Sequence, residues 1–173
     1  MNVFVSRPDV ALQTGFLQMV DDYEAYDPGN GSHYITARSD FVAYVQNLHE
    51  DERGLIGVVP CSHRWLVNSD ATIVGVVRIR HQLTTAFLAN EVGHIGYDVS
   101  PSQRGHGLGV VALHAGLDRS RELGLTQVIL YADTDNPASW RTIERCTGAL
   151  ESEHYSPHYQ CLVRRYRILL KSK

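Results

Sequence analysis

Three glycines at alternate positions lie between a predicted strand and a predicted helix. Gly105, Gly107 and Gly109 follow a segment that begins at Val99 and includes Arg104. Because glycine has no Cβ, its backbone adopts positive φ and lets a ligand approach closely. Unpaired N–H groups at a helix N-terminus carry partial positive charge and bind phosphate groups. The turn is therefore predicted to be an anion site suited to a diphosphate, with a charge-assisted contact from the Arg104 guanidinium.

The glycine spacing by itself leaves two interpretations open. The stretch is neither the G-x-G-x-x-G of a dinucleotide-binding fold nor a P-loop, which requires Gly-Lys-Ser/Thr. The alternative to an anion site is an ordinary strand–helix turn in which the glycines only allow close packing.

Hydrophobic spacing around this turn predicts alternating strands and helices. The predicted helices are Val10–Tyr26, a segment from about Asp40, Gly107–Leu123 and Ala138–Cys146. The predicted strands are Asn2–Val5, Trp65–Val67, Ile73–Ile79, Gly93–Val99, Val128–Tyr131 and Gln160–Leu169. The composition of Asp27–Ser32 is typical of a loop.

This order predicts an α/β (α+β) fold with a mixed, mostly antiparallel sheet of six to seven strands flanked by helices. Consecutive strands favour antiparallel pairing, whereas the strand–helix–strand order from Gly93 to Tyr131 favours a parallel crossover. A ligand is expected at the centre of the sheet, where a pair of strands splays apart.

Length and composition fit one globular domain over residues 1–173. The chain is 43% hydrophobic and has a net charge of −3, so it lacks the basic excess expected of a nucleic-acid-binding surface. No apolar run is long enough to span a bilayer, so no membrane partner is expected. Met1–Pro8 lacks the pattern of a signal peptide. The odd, widely spaced cysteines Cys61, Cys146 and Cys161 do not suggest a disulfide framework, and a cytoplasmic location is expected.

Two further groups of reactive side chains have structural explanations. His154 and His158 have a spacing that resembles a metal site, but Pro157 prevents a regular helix from aligning the two rings. No metal is therefore predicted. Cys146 has no histidine nearby in the sequence and is interpreted as a small buried thiol.

Two motifs resemble those of the GNAT superfamily of N-acetyltransferases. Arg104–Gly109 fits the pattern Arg/Gln-x-x-Gly-x-Gly/Ala, and the segment Asp135–Ser139 contains the Asn and the small hydroxyl residue that follow the next strand. The order of strands and helices is also similar to that fold, so the resemblance extends from Arg64 to Leu169. Short segments such as Gly93–Tyr97 look like a bacterial subgroup of predicted acetyltransferases.

The resemblance implies that acetyl-CoA is the cosubstrate and that an amine of a small molecule or peptide is the acceptor. The diphosphate of coenzyme A would lie on the backbone amides of Arg104, Gly105, His106, Gly107, Leu108 and Gly109. The backbones of Tyr97 and Val99 would pair with the pantetheine like an added strand, while Asn136 would contact the pantetheine and Ser139 the phosphate side. Many proteins of this family are homodimers, and a homodimer is therefore also an expectation.

The transfer requires a base, because an amine with a pKa of about 10 is protonated at neutral pH. His94 is the first candidate, since it lies on the strand that would flank the acetyl group and imidazole titrates near neutrality. Its alternative is a histidine held by hydrogen bonds beneath the sheet. Glu91, just before that strand, is the second candidate, and its alternative is a solvated loop carboxylate.

The general acid is where the sequence departs from the family pattern. Ile143 occupies the position at which many members carry a tyrosine. Tyr97 or Tyr131 are the candidates to replace it, or the thiolate leaves without help from the protein. This departure motivates a second hypothesis, a non-catalytic acyl-CoA-binding module, and the glycine turn alone also admits a binder of another nucleotide.

The charge of the acceptor is left open by two conflicting signals. An acidic stretch from Asp21 to Asp27 favours a cationic acceptor if it is more than a solvated helix face. Arg78, Arg80 and His81 instead favour an acceptor carboxylate, and strand alternation places the two arginines on one face.

Overall fold

The computed structural model describes residues 2–171, which form two antiparallel sheets with helices packed against them. The strands are β1 (Val3–Ser6), β2 (Cys61–Asn68), β3 (Ile73–Arg80), β4 (Ile95–Val99), β5 (Gln127–Asp133), β6 (Ala149–Ser156) and β7 (Cys161–Leu169). The α-helices are α1 (Gln13–Tyr26), α2 (Pro28–Gly31), α3 (Phe41–Glu52), α4 (Leu108–Glu122) and α5 (Pro137–Arg145). Short 3₁₀ segments occur at Val10–Leu12, Ser32–Arg38 and Pro101–Gln103, and a π-helical turn at Leu88–Val92.

The first sheet has the strand order β1-β2-β3-β4 and the second the order β5-β7-β6. All strand pairs within both sheets are antiparallel. The predicted combination of helices and a mostly antiparallel arrangement of six to seven strands is confirmed, with seven strands present, but the predicted parallel pair across the α4 crossover is wrong. In residues 2–171, β4 and β5 form no ladder with each other and belong to separate sheets.

A short joint just before β4 connects the two sheets. Gly93 forms an isolated bridge with Leu130 of β5, and the His94 N–H donates to the Ile129 carbonyl at 2.7 Å. Gly93 has a φ of 77°, and a Cβ there would lie 2.4 Å from the Ile129 oxygen, so only glycine fits. The His94 Nδ1 accepts the Ile129 N–H at 3.0 Å, so a side chain takes the donor that a continuing ladder would use. The strands therefore part beyond this joint, as the predicted splayed pair.

Two hydrophobic clusters hold the first sheet from its two faces. One packs α4 and α5 against both sheets and includes Leu113 and Ile143, which are fully buried. The other packs α1 and α3 on the first sheet, with the rings of Phe16 and Trp65 4.8 Å apart. Each large apolar side chain buried in this way contributes about 1.5–3 kcal/mol. The strands that carry the candidate site residues therefore lie on a packed scaffold.

β6 is the strand that the sequence pattern did not reveal. Its residues alternate in no regular way, and all but two of them are exposed because it is an edge strand of the second sheet. Backbone pairing from Ala149–Arg167 to Ser156–Cys161 holds it to β7. With neither face buried, the strand has no apolar periodicity for a sequence pattern to detect.

The predicted loop after α1 is largely helical. Pro28 begins α2, a position where its missing N–H removes no hydrogen bond, and the Gly31 N–H donates to the Asp27 carbonyl at 3.1 Å. The 3₁₀ segment that follows brings Tyr34 under the first sheet, where it is buried.

None of the helices within residues 2–171 combines the length and the apolar character needed to cross a lipid bilayer.

Candidate functional site

Five consecutive backbone N–H groups are free at the N-terminus of α4. Gly105 and Gly107 have φ values of 82° and 79°, and the helix begins directly after them at Leu108. Within residues 2–171, no N–H from Gly105 to Gly109 has a hydrogen-bond acceptor. A Cβ at Gly105 or Gly107 would meet no atom within 4 Å, so the space in front of these amides is open. We call this segment, Gly105–Gly109, the amide cradle; its geometry suits an anion.

Acidic side chains from α1 and its C-terminal end hold the turn that carries the amide cradle. The Asp22 Oδ2 accepts the Ser100 hydroxyl at 2.5 Å and the Ser102 N–H at 3.0 Å. Asp27 accepts the Arg104 Nη2 at 2.6 Å. Asp22 and Asp27 thus have a structural role, although the sequence suggested that this acidic stretch attracts a cationic acceptor. The other two acidic residues of the stretch, Asp21 and Glu24, pair with Arg38.

The Arg104 side chain is engaged by protein groups. Besides its ion pair with Asp27, its Nε donates to the Val99 carbonyl at 3.2 Å, and its guanidinium lies 5.8 Å from the centre of the Tyr23 ring. The hydrogen bond from Arg104 lowers the pKa of Asp27. In this conformation the guanidinium fixes the turn instead of facing the cradle, and the charge-assisted ligand contact predicted for it stays a prediction.

The edge of β4 that faces β5 is open. Alternate residues of β4 pair with β3, as in Gly96 with Arg78 and Asp98 with Val76, so the backbones of Tyr97 and Val99 point toward β5. No backbone hydrogen bond joins either residue to β5 in the described part of the chain. We call the gap between these unpaired edges the cleft. Tyr97 therefore presents both of its backbone groups to the cleft, and Val99 presents its N–H. The Val99 carbonyl accepts the Arg104 Nε and the Tyr23 hydroxyl, and the strand-like pairing with a ligand stays a prediction.

Asn136 and Ser139 lie at the N-terminus of α5, on the same side as the Tyr97 ring. The Asn136 Oδ1 accepts the Ser139 N–H at 3.1 Å and so caps the helix, which leaves the Asn136 NH₂ group free of this bond. The Tyr97 hydroxyl donates to the Ser139 carbonyl at 3.3 Å. The structure thus brings together the predicted cofactor-binding residues from β4, the cradle and α5, while their individual contacts with a ligand stay predictions.

His94 is bound to the joint between the sheets. Its Nδ1 accepts the Ile129 N–H, which fixes the tautomer with the proton on Nε2. Burial, together with the nearby Arg80 guanidinium, lowers the pKa of His94 to about 4. In this conformation the neutral ring has no free lone pair for a substrate proton. Its predicted role as a base stays a prediction, and it would require the ring to leave the Ile129 amide.

Glu91 keeps a free carboxylate oxygen. Its Oε2 accepts the Ser156 hydroxyl from the end of β6, and its Oε1 has no hydrogen-bond partner among residues 2–171. Nearby, the Tyr131 hydroxyl donates to the Ala89 carbonyl at 2.9 Å and accepts the Arg165 Nε at 3.0 Å. The π-helical turn that carries Glu91 is thus tied to both β5 and β6.

Neither candidate for the general acid has a free hydroxyl proton. The Tyr131 and Tyr97 hydroxyls each donate to a backbone carbonyl, and burial raises the pKa of both. Ile143 is fully buried in the core, so the position where the family often has a tyrosine does not face a ligand.

One cluster of potential metal-ligand side chains was not apparent from the spacing of residues in the sequence. Potential ligand atoms of Asp51, Cys61 and His63 lie within 4.8 Å of one another, because β2 brings Cys61 and His63 to one face near the end of α3. The His63 Nε2 and the Asp51 Oδ2 form a hydrogen bond of 2.7 Å. Burial raises the pKa of the Cys61 thiol to about 11, so it is protonated at neutral pH.

Comparison with known proteins identifies the class of protein that this fold and site define. The sequence profile described as "Acetyltransferase (GNAT) family" matches residues 16–149, which is most of the chain. The chain therefore belongs to that family, as the resemblance predicted, and it is an acetyltransferase. No curated protein matches it in sequence.

Solved structures with the same fold are distant in sequence. The alpha-N-protein acetyltransferase RimL for ribosomal L7/L12, in complex with coenzyme A, is 17% identical with a TM-score of 0.73, over 100% of this chain and 97% of that one. The microcin C7 self-immunity acetyltransferase MccE, in complex with acetyl-CoA and AMP, is 16% identical with a TM-score of 0.69, over 96% and 92%. A chimera of spermidine N-acetyltransferase SpeG from Vibrio cholerae and hSSAT is 14% identical with a TM-score of 0.65, over 98% and 96%.

A methyl group in the amide cradle tests its role in binding. We expect Gly107→Ala to weaken acetyl-CoA binding by about tenfold or more, measured by calorimetry, because the new Cβ enters the open space before the amides. Gly124→Ala is the matched control: Gly124 also has a positive φ of 77°, and a Cβ there would meet no atom within 4 Å, but it lies at the other end of α4. Both variants should lose about 1–2 kcal/mol of stability through backbone strain. Equal affinities of the two variants would contradict the assignment.

The pH dependence of unfolding tests the bound state of His94. Its pKa is about 4 in the folded protein and about 6.5 in the unfolded chain, so the unfolded state takes up protons first as the pH falls. The stability should therefore be complete above about pH 6.5 and decline as the pH falls toward 4. His94→Asn keeps an acceptor oxygen for the Ile129 N–H but does not titrate. Because the ring is partly exposed, we expect the wild type to lose about 1 kcal/mol more than this variant between pH 7 and pH 5 in urea unfolding. Parallel pH profiles would show that the ring is not held in this way.

Proposed function

We propose that this acetyltransferase moves an acetyl group from acetyl-CoA to the amine of a small molecule or peptide, by direct transfer with both substrates bound. The observation that carries the proposal is the run of free N–H groups from Gly105 to Gly109, which lies beside the unpaired edge of β4. An anionic diphosphate and an extended, amide-containing arm are the two chemical features that this pair of surfaces complements. Coenzyme A has both features.

The structural neighbours support the kind of acceptor. RimL is described as a protein α-N-acetyltransferase and SpeG as a spermidine N-acetyltransferase, so the fold serves both peptide and small-molecule amines. MccE was solved with acetyl-CoA, which supports that cosubstrate for the shared cleft.

The protein groups around the cleft account for binding of the cosubstrate. The amides of Gly105–Gly109 bind the diphosphate, while the Tyr97 and Val99 backbones pair with the pantetheine. The free NH₂ group of Asn136 contacts the same arm, and Ser139 supplies a hydroxyl at the start of α5. A backbone N–H of this open edge, that of Tyr97, is the donor for the thioester oxygen as negative charge develops there.

Glu91 is the proton acceptor in this proposal. The acceptor nitrogen attacks the thioester carbonyl carbon, the C–S bond breaks, and the nitrogen loses a proton to the free Glu91 oxygen directly or through one water. The departing thiolate takes its proton from water, since both tyrosine hydroxyls already donate to carbonyls. His94 positions the joint that closes one end of the cleft and is not itself the base.

All three cysteines, Cys61, Cys146 and Cys161, are free thiols, which favours a reducing compartment and supports the cytoplasmic location that the sequence suggested. The homodimer stays a prediction.

The proposal predicts release of coenzyme A thiol from acetyl-CoA only when an amine is present. A panel of amino acids, peptides, polyamines and aminosugars, followed by thiol detection and mass spectrometry of the products, would find at least one acetylated amine. Tight acetyl-CoA binding without turnover on any amine would instead indicate a non-catalytic acyl-CoA-binding module. A preference for ATP or NAD over acetyl-CoA in calorimetry would contradict both.

Glu91→Gln and His94→Asn separate the two candidates for the base. Glu91→Gln keeps the shape and the hydrogen bond to Ser156 but removes the proton acceptor, and we expect kcat to fall by about 10²–10⁴-fold with unchanged acetyl-CoA affinity. His94→Asn keeps the bond to Ile129, and most of the turnover should remain. The reverse pattern would show that His94 is the base.

A further inference from the structure

Arg80 differs from the other partly buried arginines of the protein. Six of these pair with a carboxylate: Arg64, Arg78, Arg119, Arg121, Arg164 and Arg165. Arg80 is equally partly buried, yet it forms no ion pair with any residue between 2 and 171. Its only side-chain hydrogen bond to the described part of the chain is from Nη1 to the Gly93 carbonyl, at 3.3 Å. Burial lowers the pKa of Arg80, which reflects the cost of a charge that no partner offsets.

The position of Arg80 places this charge at the joint that closes the cleft. Its backbone N–H donates to the His94 carbonyl at 2.8 Å, and its guanidinium contacts Gly93, the residue that bridges to β5. Neighbouring Ile79 packs into the cluster with α4, so the Arg80 side chain points to the opposite face of the sheet. That face is not the one covered by α4.

The neighbours of Arg80 do not supply the missing negative charge. Arg78, on the same face, is already bonded to Asp98 at 2.8 Å and to the Tyr34 hydroxyl at 3.0 Å. His81 is turned away, with its Nε2 2.8 Å from the Ser62 hydroxyl.

No carboxylate among residues 2–171 forms an ion pair with the Arg80 guanidinium. Asp51 is bonded to His63, and Glu91 to Ser156. Tyr159, from the turn between β6 and β7, feels the charge of Arg80, which opposes the rise in its pKa caused by burial. A single unpaired positive charge therefore remains beside the joint.

We propose that Arg80 is a specificity residue that binds a carboxylate of the acceptor, so that the acceptor is an amino acid or a similar small molecule with its amine and carboxylate a few bonds apart. A guanidinium presents paired N–H donors that match the two oxygens of a carboxylate. One unpaired cation balances one negative charge, whereas a phosphate dianion would leave an excess negative charge at the site. A polyamine would place a second cation against Arg80. This inference rests on the proposed acetyl transfer and names the acceptor class for it.

Matched acceptors test the inference. Each amino acid is compared with its own carboxamide, which has the same amine and side chain but no carboxylate, and an aminoalkyl phosphate and spermidine complete the panel. We expect kcat/KM to be at least about tenfold higher for the acid than for the carboxamide. Arg80→Gln should remove that preference by lowering kcat/KM for the acid and leaving the carboxamide little changed. A higher kcat/KM for the carboxamide, the phosphate or spermidine would overturn the inference while leaving the acetyltransferase activity intact.

Two further measurements distinguish carboxylate binding by Arg80 from a purely structural role of this residue. They also distinguish a failure of this inference from a failure of the proposed acetyl transfer. Arg80→Gln removes an unpaired charge, so its melting temperature and its acetyl-CoA affinity should not fall; a large loss of either would identify Arg80 as a structural residue. Arg53→Gln, which changes an exposed arginine at the end of α3, is the matched control and should keep the acid preference. Calorimetry with the protein saturated with coenzyme A measures acceptor binding without turnover. Binding of the acid that depends on Arg80, without acetylation, would reject the proposed function and support this site; equal binding of acid and carboxamide would reject the site.

Discussion

The cleft depends on how two sheets are joined at one point. Ile129 presents its N–H and its carbonyl toward the first sheet, and His94 satisfies both, one with its ring and the other with its backbone. Gly93 allows the close approach, since a side chain there would overlap the Ile129 carbonyl. Because the histidine ring replaces a backbone group, the ladder does not continue. Within residues 2–171, the Tyr97 backbone groups and the Val99 N–H have no backbone partner on the side of β5, while the Val99 carbonyl accepts from Arg104 and Tyr23. An open strand edge inside a protein is normally a liability, and in the proposed function it is the surface that the pantetheine arm completes.

Around the cleft, the groups proposed to bind ligands differ from the charged side chains that hold these groups in place. At the amide cradle, positive character comes from backbone N–H groups alone, because the Arg104 guanidinium is neutralised by Asp27. Asp22 fixes the same turn through Ser100 and the Ser102 amide, so acidic residues lie behind an anion site without facing it. At the joint, in contrast, the positive charge comes from a side chain, because the Arg80 guanidinium has no carboxylate partner among residues 2–171. A protein with an overall net charge of −3 thus keeps local positive character at both ends of the cleft.

Acetyl transfer is chemically possible without the tyrosine that many members of the family carry as the general acid. Ile143 contributes to the core instead, and the hydroxyls of Tyr97 and Tyr131 are used to tie α5 and the π-helical turn to the strands. A thiolate is a good leaving group near neutral pH, so protonation by water suffices for the proposed transfer. The demanding step is removal of the amine proton, which is why a carboxylate with one free oxygen, Glu91, has the central role in the proposal.

The sequence by itself determined the helices, the buried strands and the glycine turn, because apolar periodicity and the absence of a Cβ act locally. The alternating glycines predicted the cradle, and the helix predicted from about Asp40 is confirmed, with the Asp40 side chain as its cap. β6 was missed because an edge strand with two exposed faces has no periodic signal. The predicted parallel pair of β4 and β5 does not form, because the ring of His94, just before β4, takes the Ile129 N–H and ends the backbone pairing. Only the tertiary structure decided that the base candidate His94 is held by a backbone amide, that Arg104 faces Asp27, and that Arg80, among the partly buried arginines of residues 2–171, has no acid beside it. These are properties of contacts between residues far apart in the chain, and charge pairing and proton position depend on distances that only folding sets.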